Sequence, residues 1–473
     1  MIKERLHFIG IGGIGMSALA QIVLARGAAV SGSDIQESEI TARLSDLGAA
    51  VTIGHTAASV DGSTRVIVSD AIDEGNPELL RARELGIPIQ RRSQLLAELM
   101  SLHRGIAVAG THGKTTVTAM IGLVLVEAGL DPTIELGGEY APIGGNGRAG
   151  RGDWFLAEAC EAYESFLDLR PEIALITNIE PDHLDHHGTL EHLRDSFARF
   201  LAQVPTEGAV VLCADRPDLR TLPLPAGRRA IWYGADVSAE VRGVEAASVG
   251  LSAWCRLIVS GRDEGLLTIS APGVHNVSNA LGAVAACRAA GIPVEVSVRA
   301  LKSFTGVGRR FEVLGDASGV TVVDDYAHHP TEIAATISAA RSAFPGRPIV
   351  AIFQPHLYSR TRDFAEGFAE ALQAADRAVL TDIYPAREEP IPGVNSGLIA
   401  DHLRGLVPED AVLEVAKDQI ATNSPTLLRQ GDVALCMGAG DIGLVARDLL
   451  SVLRAAAGRG RTASKQLRQG SKP

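Results

Sequence analysis

Residues 105–116 read GIAVAGTHGKTT: a short apolar run, Ile106 to Val108, breaks into a loop with Gly110 and Gly113 and continues into Lys114, Thr115 and Thr116. The apolar run predicts a buried strand, and Thr115 to Val126 predicts an apolar helix. A strand that turns through glycines into a helix aims backbone N–H groups and the helix start at one anion, and Lys114 adds a point charge. Gly110, Thr111, His112, Gly113, Lys114, Thr115 and Thr116 are therefore the candidate polyphosphate loop, for ATP or GTP. The G-x-x-x-x-G-K-[ST] spacing is not met, because Val108 stands five positions before Gly113. A loop of this kind belongs to a parallel α/β sheet.

The same texture appears on either side. At the amino end HFIGIGGIGMSALA (7–20) holds Gly10, Gly12, Gly13 and Gly15 between a strand and an amphipathic helix, and AAVSGSD (28–34) closes on Asp34, 19 positions after Gly15. That order predicts a Rossmann-like unit with a pyrophosphate at the helix start and a hydroxyl near Asp34; NAD and other diphosphates both fit. Around the loop, WFLAEA (154–159), EIALITNI (172–179) and GAVVLC (208–213) alternate with helices. A third unit follows in VTVVDDY (320–326), a helix opened by Pro330, PIVAIFQP (348–355), AVLTDIY (378–384) and DVALCMGAGDI (432–442). The expected fold is α/β in three domains: Rossmann-like at 1–102, a central P-loop ATPase-type parallel sheet at 103–308, and Rossmann-like at 309–455. Residues 456–473, with five basic side chains from Arg459 onward, are expected to form a disordered basic tail.

Bulk properties narrow the partners. At 473 residues the chain has room for about three domains, and 46% hydrophobic residues with 50 glycines fit a globular α/β protein. The net charge of -12 argues against nucleic acid, and the lack of an apolar run long enough to span a bilayer argues against a membrane. Cys160, Cys213, Cys255, Cys287 and Cys436 are scattered, as reduced core thiols are. A cytoplasmic protein is expected.

Polar groups collect where parallel strands end, the place where such sheets hold ligands. Thr115 supplies a hydroxyl, Glu158 a carboxylate, and NIEPDHLDHHG (178–188) adds His183; this is oxygen-rich chemistry suited to magnesium. The histidine-rich loop also reads as surface decoration. No lysine stands between Lys114 and Lys302, so Lys114 is the ammonium that sequence places near the phosphates. In the third unit Asp325, Tyr326 and His328 in DDYAHHP, and His356 and Arg360 in FQPHLYSRTRDF, suit an anionic substrate or an acyl-transfer transition state. Asn276 and Asn279 share a helix face, where they read a nucleobase or cap the helix.

Taken in order, HFIGIGGIGMSALA, AGTHGKTT, TNIEPDHLD, PGVHNVSNA, GVGRRFE, DDYAHHPTE, FQPHLYSRT and GAGDIG resemble the Mur ligase family, from about Leu6 to Leu450. The resemblance also accounts for the nonstandard phosphate loop. It implies an ATP-dependent ligase of peptidoglycan precursor synthesis that joins L-alanine to UDP-N-acetylmuramate. ATP and two Mg2+ ions, replaceable by Mn2+, are the implied cofactors, and a monomer or weak homodimer the implied state. Gly10, Gly12, Gly13, Gly15, Asp34, Ser69 and Arg92, with Tyr326, would bind the UDP-sugar. The loop residues, Asn276, Asn279, Arg310, Asp325 and His328 would meet ATP; Thr115 and Glu158 would hold one metal ion and His183 a second. Lys114, His183, His356 and Arg360 are the implied catalytic set, with the base for the amine either His183 or His356. Two departures matter: EACEAY (158–163) replaces the more usual E-A-D-E-S-D, which puts a role for Glu161 in doubt, and Leu357 stands where an arginine is common. Arg360 or Arg362 would then meet the amino acid's carboxylate. FQPH and the length of the segment after EACEAYESFLDLRP disfavour the tripeptide-recycling branch of the family, and the phosphate loop disfavours a dehydrogenase or a UDP-sugar sensor.

Overall fold

The structure is a computed structural model that describes residues 4–469, without the side chains of 184, 185 and 458–469. It contains three sheets. The first has five parallel strands in the order Ala50–Ile53, Ala29–Asp34, Arg5–Ile9, Arg65–Val68 and Ile89–Arg91. The strand order reverses direction between Arg5–Ile9 and Arg65–Val68, so the crevice of a Rossmann-like unit opens at Gly10 and Ser69.

The second sheet has ten strands. Its centre is parallel: Arg104–Ala109 lies between Ile173–Ile176 and Trp154–Glu158, and Thr133–Tyr140 pairs with the latter. Gly145–Arg148 closes that edge as the antiparallel partner of Thr133–Tyr140, a hairpin the sequence reading did not anticipate. On the other side come Ala209–Cys213, Arg229–Gly234, Val241–Val249, Ser252–Val259 and Arg262–Ile269. The third sheet runs Glu312–Ala317, Val320–Asp325, Val433–Met437, Ile349–Phe353, Arg377–Leu380, Val412–Glu414. Its first strand is antiparallel to the second, which departs from the all-parallel texture expected there.

Strand periodicity explains the third core. Ile349, Ala351 and Phe353 point into one buried cluster with Ile333, Ile337, Phe368 and Leu372, while Val350 and Ile352 point into another with Ile442, Ala446 and Leu449. With both faces covered by helices, every position of strand Ile349–Phe353 is apolar. Each fully buried Ile, Val or Phe contributes roughly 1.5–3 kcal/mol from area removed from water.

The chain divides into two compact units, one of Met1–Ala246, Cys255–Ile269 and Val277–Phe304, the other of Ala247–Trp254, Ser270–Asn276 and Thr305–Pro473. The first sheet lies in the first unit, as does the second except for the parts of strands Val241–Val249 and Ser252–Val259 that fall in Ala247–Trp254. The last helix, Ile442–Gln469, enters the segment expected to be a disordered tail, whose residues 470–473 lie outside the described residues. No described helix is long and apolar enough to cross a membrane. All five cysteines are free thiols, and all but Cys160 are buried.

Candidate active site

The phosphate loop forms as the sequence predicts: strand Arg104–Ala109, then Gly110 at φ +126° and Gly113 at φ +83°, then helix Lys114–Glu127. Gly110 is required twice over. Its φ is one that L side chains rarely adopt, and a Cβ there would lie 2.1 Å from Thr177 Oγ1. The neighbouring strand end locks the loop: the Thr111 amide donates to Asn178 O (3.1 Å), the His112 amide to Asn178 Oδ1 (2.9 Å), and Thr177 Oγ1 to His112 O (2.6 Å). Two loop amides expected to face the phosphates are thus spent on Asn178, and the orphan N–H groups of the helix's first turn remain for the anion. His112 Nε2 lies 3.3 Å from Glu180 Oε2.

Lys114 folds back over its own loop. Its Nζ donates to Gly110 O (2.5 Å), Thr111 O (3.1 Å) and both oxygens of Glu161 (3.0 and 2.9 Å). Burial works against the ammonium, yet the adjacent Glu161 carboxylate holds its pKa above that of a free lysine. Glu161 is 1% exposed, so the residue put in doubt by the EACEAY departure is the buried counter-ion of Lys114.

Metal-ligating groups lie alongside. Thr115 Oγ1 donates to Glu158 Oε2 (3.1 Å), whose other oxygen accepts from the Gly137 amide (2.5 Å). Glu161, Asp182 and His183 offer ligand atoms within 4.8 Å of one another. His183 adopts φ +53°, uncommon for a residue other than glycine, and its amide donates to Asp182 Oδ1 (2.9 Å). Sequence reading singled out Thr115, Glu158 and His183 but not Asp182, which joins His183 and Glu161 in this candidate cluster, although the 178–188 run was flagged. Asn279 lies against the loop, where a Cβ on Gly113 would come within 2.7 Å of its Oδ1. Asn276 Nδ2 donates to Pro272 O (2.8 Å), just ahead of helix Val274–Ala289.

At the first sheet, Gly13 caps helix Ile14–Ala25 and Gly10 lies beside Ser69. Asp34, expected to meet a ligand hydroxyl, accepts from the Gly12 amide through Oδ2 (2.8 Å) and so braces the loop itself. Arg92 is also engaged: Nη1 lies 3.4 Å from Glu135 Oε1. Burial pushes the Glu135 carboxyl up to about 7, with Arg92 opposing and Glu158 adding to the rise.

Within the other unit the expected residues gather at the carboxyl ends of Val320–Asp325 and Ile349–Phe353. Tyr326 is overlaid by two guanidiniums, Arg309 at 5.0 Å and Arg310 at 4.9 Å from its ring. His328 Nδ1 lies 3.2 Å from Glu332 Oε2, and its ring meets that of His356 at 6.0 Å. His356 stacks on Tyr384 (5.7 Å, 14°), with Arg360 Nη1 3.5 Å from its Nδ1. Asp325 is held by its own loops. Its carboxylate accepts from the Phe311 and Ala327 amides, each at 2.7 Å, and serves the loops; burial pushes it up to about 6 against Arg310 and those two amides. Leu357, in place of the arginine, is buried at φ +69°. Of the two arginines left for the amino acid's carboxylate, Arg362 pairs with its neighbour Asp363 (2.7 Å), while Arg360 is buried beside His356.

Known proteins share the sequence and fold of this chain. Family models for the Mur ligase catalytic domain, middle domain and glutamate ligase domain match residues 5–104, 108–287 and 309–440. A UDP-N-acetylmuramate–L-alanine ligase of Sorangium cellulosum is 45% identical over 456 residues, covering 96% of this chain and 97% of that protein. Among solved structures, the UDP-N-acetylmuramate-alanine ligase of Thermotoga maritima superposes with TM-score 0.82 at 31% identity, covering 96% and 99% of the two chains. A murein peptide ligase of Psychrobacter arcticus follows at TM-score 0.73 and 25% identity, covering 95% and 99%.

Proposed function

Since the chain belongs to the Mur ligase family, we propose that it works as an ATP-dependent ligase joining L-alanine to the carboxylate of UDP-N-acetylmuramate in peptidoglycan precursor synthesis. The observation that carries this reading is the pairing of the Gly110–Thr116 loop with Glu158, Glu161, Asp182 and His183 at adjoining strand ends, in a chain 45% identical to a ligase of that name.

A carboxylate is a poor acceptor for an amine. In the proposed reaction the muramyl carboxylate takes the γ-phosphoryl group of ATP, giving an acyl phosphate and ADP; the amine of L-alanine adds to the activated carbonyl, and phosphate leaves. Lys114 and the first-turn amides hold the phosphates in line, while Glu161 keeps Lys114 charged and oriented. Oxygen donors on Thr115 and Glu158 fit a hard divalent cation, and Glu161, Asp182 and His183 fit a second. Magnesium bound there would neutralise phosphate charge as two anions approach. Arg360 is the cation for the amino acid's carboxylate, and His356 beside it is one of two candidates, with His183, to take the amine's proton.

Phosphate release measured with UDP-N-acetylmuramate and magnesium, adding L-alanine, a murein tripeptide or no acceptor, tests the reading. Release that requires both the UDP-sugar and L-alanine is the expected result. Release with the tripeptide alone would place the chain with the murein peptide ligases instead. For the metal assignment, His183→Ala should raise the magnesium concentration needed for half-maximal rate, and an unchanged titration would remove His183 from the ligand set.

A further inference from the structure

The ion pair of Arg92 with Glu135 belongs to neither glycine loop, yet it lies beside Gly15 of the first and reaches the second through Glu158. Arg92 opens helix Arg92–Met100 at the carboxyl end of the first sheet, and its Nη1 would be 3.1 Å from a Cβ placed on Gly15, the last glycine of the amino-terminal run. Glu135 lies on strand Thr133–Tyr140 with its side chain 3% exposed. Its second oxygen, Oε2, faces the Glu158 amide (3.4 Å), and two residues further along the same strand the Gly137 amide holds the Glu158 carboxylate that meets Thr115.

Glu135 is not the sole tie between this hairpin and the first sheet. Asn146, on the partner strand Gly145–Arg148, donates to Ile14 O (2.6 Å) and Ser17 Oγ (2.8 Å) and accepts from Gln21 (2.8 Å), all on the helix that the first glycine loop opens. Arg43 grips Glu139 with both ends of its fork (2.9 and 2.5 Å). Gly147 packs so closely on that helix that a Cβ would lie 2.7 Å from Ala18 O. Hairpin 133–148 is therefore fastened to the helix start at one loop and supplies the backbone donor for Glu158 at the other.

From this geometry we infer that Arg92 and Glu135 are positioning residues for the proposed reaction, a buried link through which an anion at the first glycine loop orders the Glu158 side of the ATP site. The inference rests on the proposed function. Arg92 carries a fork of five N–H donors, of which a single 3.4 Å contact goes to Glu135, and its side chain is 20% exposed. A diphosphate seated on the Gly13–Gly15 amides meets the remaining donors. Pinning Arg92 fixes Glu135, and with it the strand whose amide at Gly137 aims Glu158. Because coupling between two sites is reciprocal, ATP bound at Lys114 must tighten UDP-sugar binding by the same factor.

The test is the affinity for a non-hydrolysable ATP analogue with magnesium, measured by calorimetry with and without saturating UDP-N-acetylmuramate, in the native chain, Glu135→Gln and Arg92→Lys. Glu135→Gln keeps shape and removes charge; Arg92→Lys keeps charge and removes the fork. In the native chain the UDP-sugar is expected to tighten the analogue by about 5-fold or more, within the usual range of such couplings. In both variants the enhancement should fall to near 1, with analogue affinity in the absence of UDP-sugar little changed. A merely structural strut would instead weaken the analogue equally with and without UDP-sugar and lower the unfolding temperature. Retention of the native enhancement in the variants, or a native chain that binds both ligands without enhancement, would overturn the inference and leave the proposed function standing. A native chain that binds no UDP-sugar would sink the function itself.

Discussion

Lys114→Ala is expected to reduce phosphate release by about a thousandfold or more, since the lost group is a charge aimed at the transferring phosphoryl in a water-excluded site. Affinity for UDP-N-acetylmuramate, assigned to the other glycine loop, should stay within about twofold, as separate sites usually do. The structure adds a consequence that the motif does not reveal. Glu161 is buried against Lys114, and removing the ammonium strands its carboxylate, which costs about 3–5 kcal/mol of stability in comparable buried pairs. A loss of turnover in Lys114→Ala would therefore be ambiguous by itself. The double variant Lys114→Ala/Glu161→Gln separates the two effects: its melting temperature should recover most of the loss, and its turnover should not. Turnover restored along with stability would show that Lys114 acts through folding and not on the phosphates.

Gly110→Ala is the second large effect, and it enters through the backbone. A side chain at φ +126° is strained by about 1–3 kcal/mol, and overpacking of a close-packed site costs about 1–3 kcal/mol more. The new Cβ would collide with Thr177 Oγ1 at 2.1 Å and press on the Thr177 amide and Asn178 O at 3.0 Å, the atoms that set the loop's register. Nucleotide affinity, read by titration with the ATP analogue, should fall below detection while the protein still binds UDP-N-acetylmuramate. Adding Thr177→Ala removes one of those atoms and leaves the two backbone contacts, so rescue should be partial at best. Undiminished nucleotide affinity in Gly110→Ala would contradict the assignment of this loop to ATP.

The central parallel strands, the two glycine loops and the strand-end polar clusters were legible in the sequence because their causes are local, whereas the edge hairpin Thr133–Tyr140/Gly145–Arg148 was not. An apolar run, a glycine at a turn and a helix start occupy a dozen residues, and their chemistry follows from their order. What sequence left dark depends on distant partners. Glu161 is 47 positions from Lys114, and nothing in EACEAY indicates that its side chain returns to the phosphate loop. Arg92 and Glu135 are 43 apart, and their meeting requires the hairpin 133–148 to reach the first sheet. Asp34 carries a local task that the fingerprint does not show: at a strand end as expected, its carboxylate accepts from the Gly12 amide of its own loop. Asp325 is similar, since sequence places a buried acid at a strand end without showing the two amides it accepts from.

The interleaving of the two compact units bears on synthesis. The chain passes from one to the other at 246/247, 254/255, 269/270, 276/277 and 304/305, so the division is not a single cut along the polypeptide. Emerging from the ribosome amino end first, the chain has every residue of its first unit once Phe304 is out, and that unit can fold early. The second must wait for its last residues while two of its pieces, Ala247–Trp254 and Ser270–Asn276, are already tethered within the first. A fragment beginning at Thr305 would lack both pieces, and a nick near that junction would leave them on the wrong half. Separate expression of the halves is thus an exercise in one-way complementation, in which the first half carries two pieces that the second needs to finish folding.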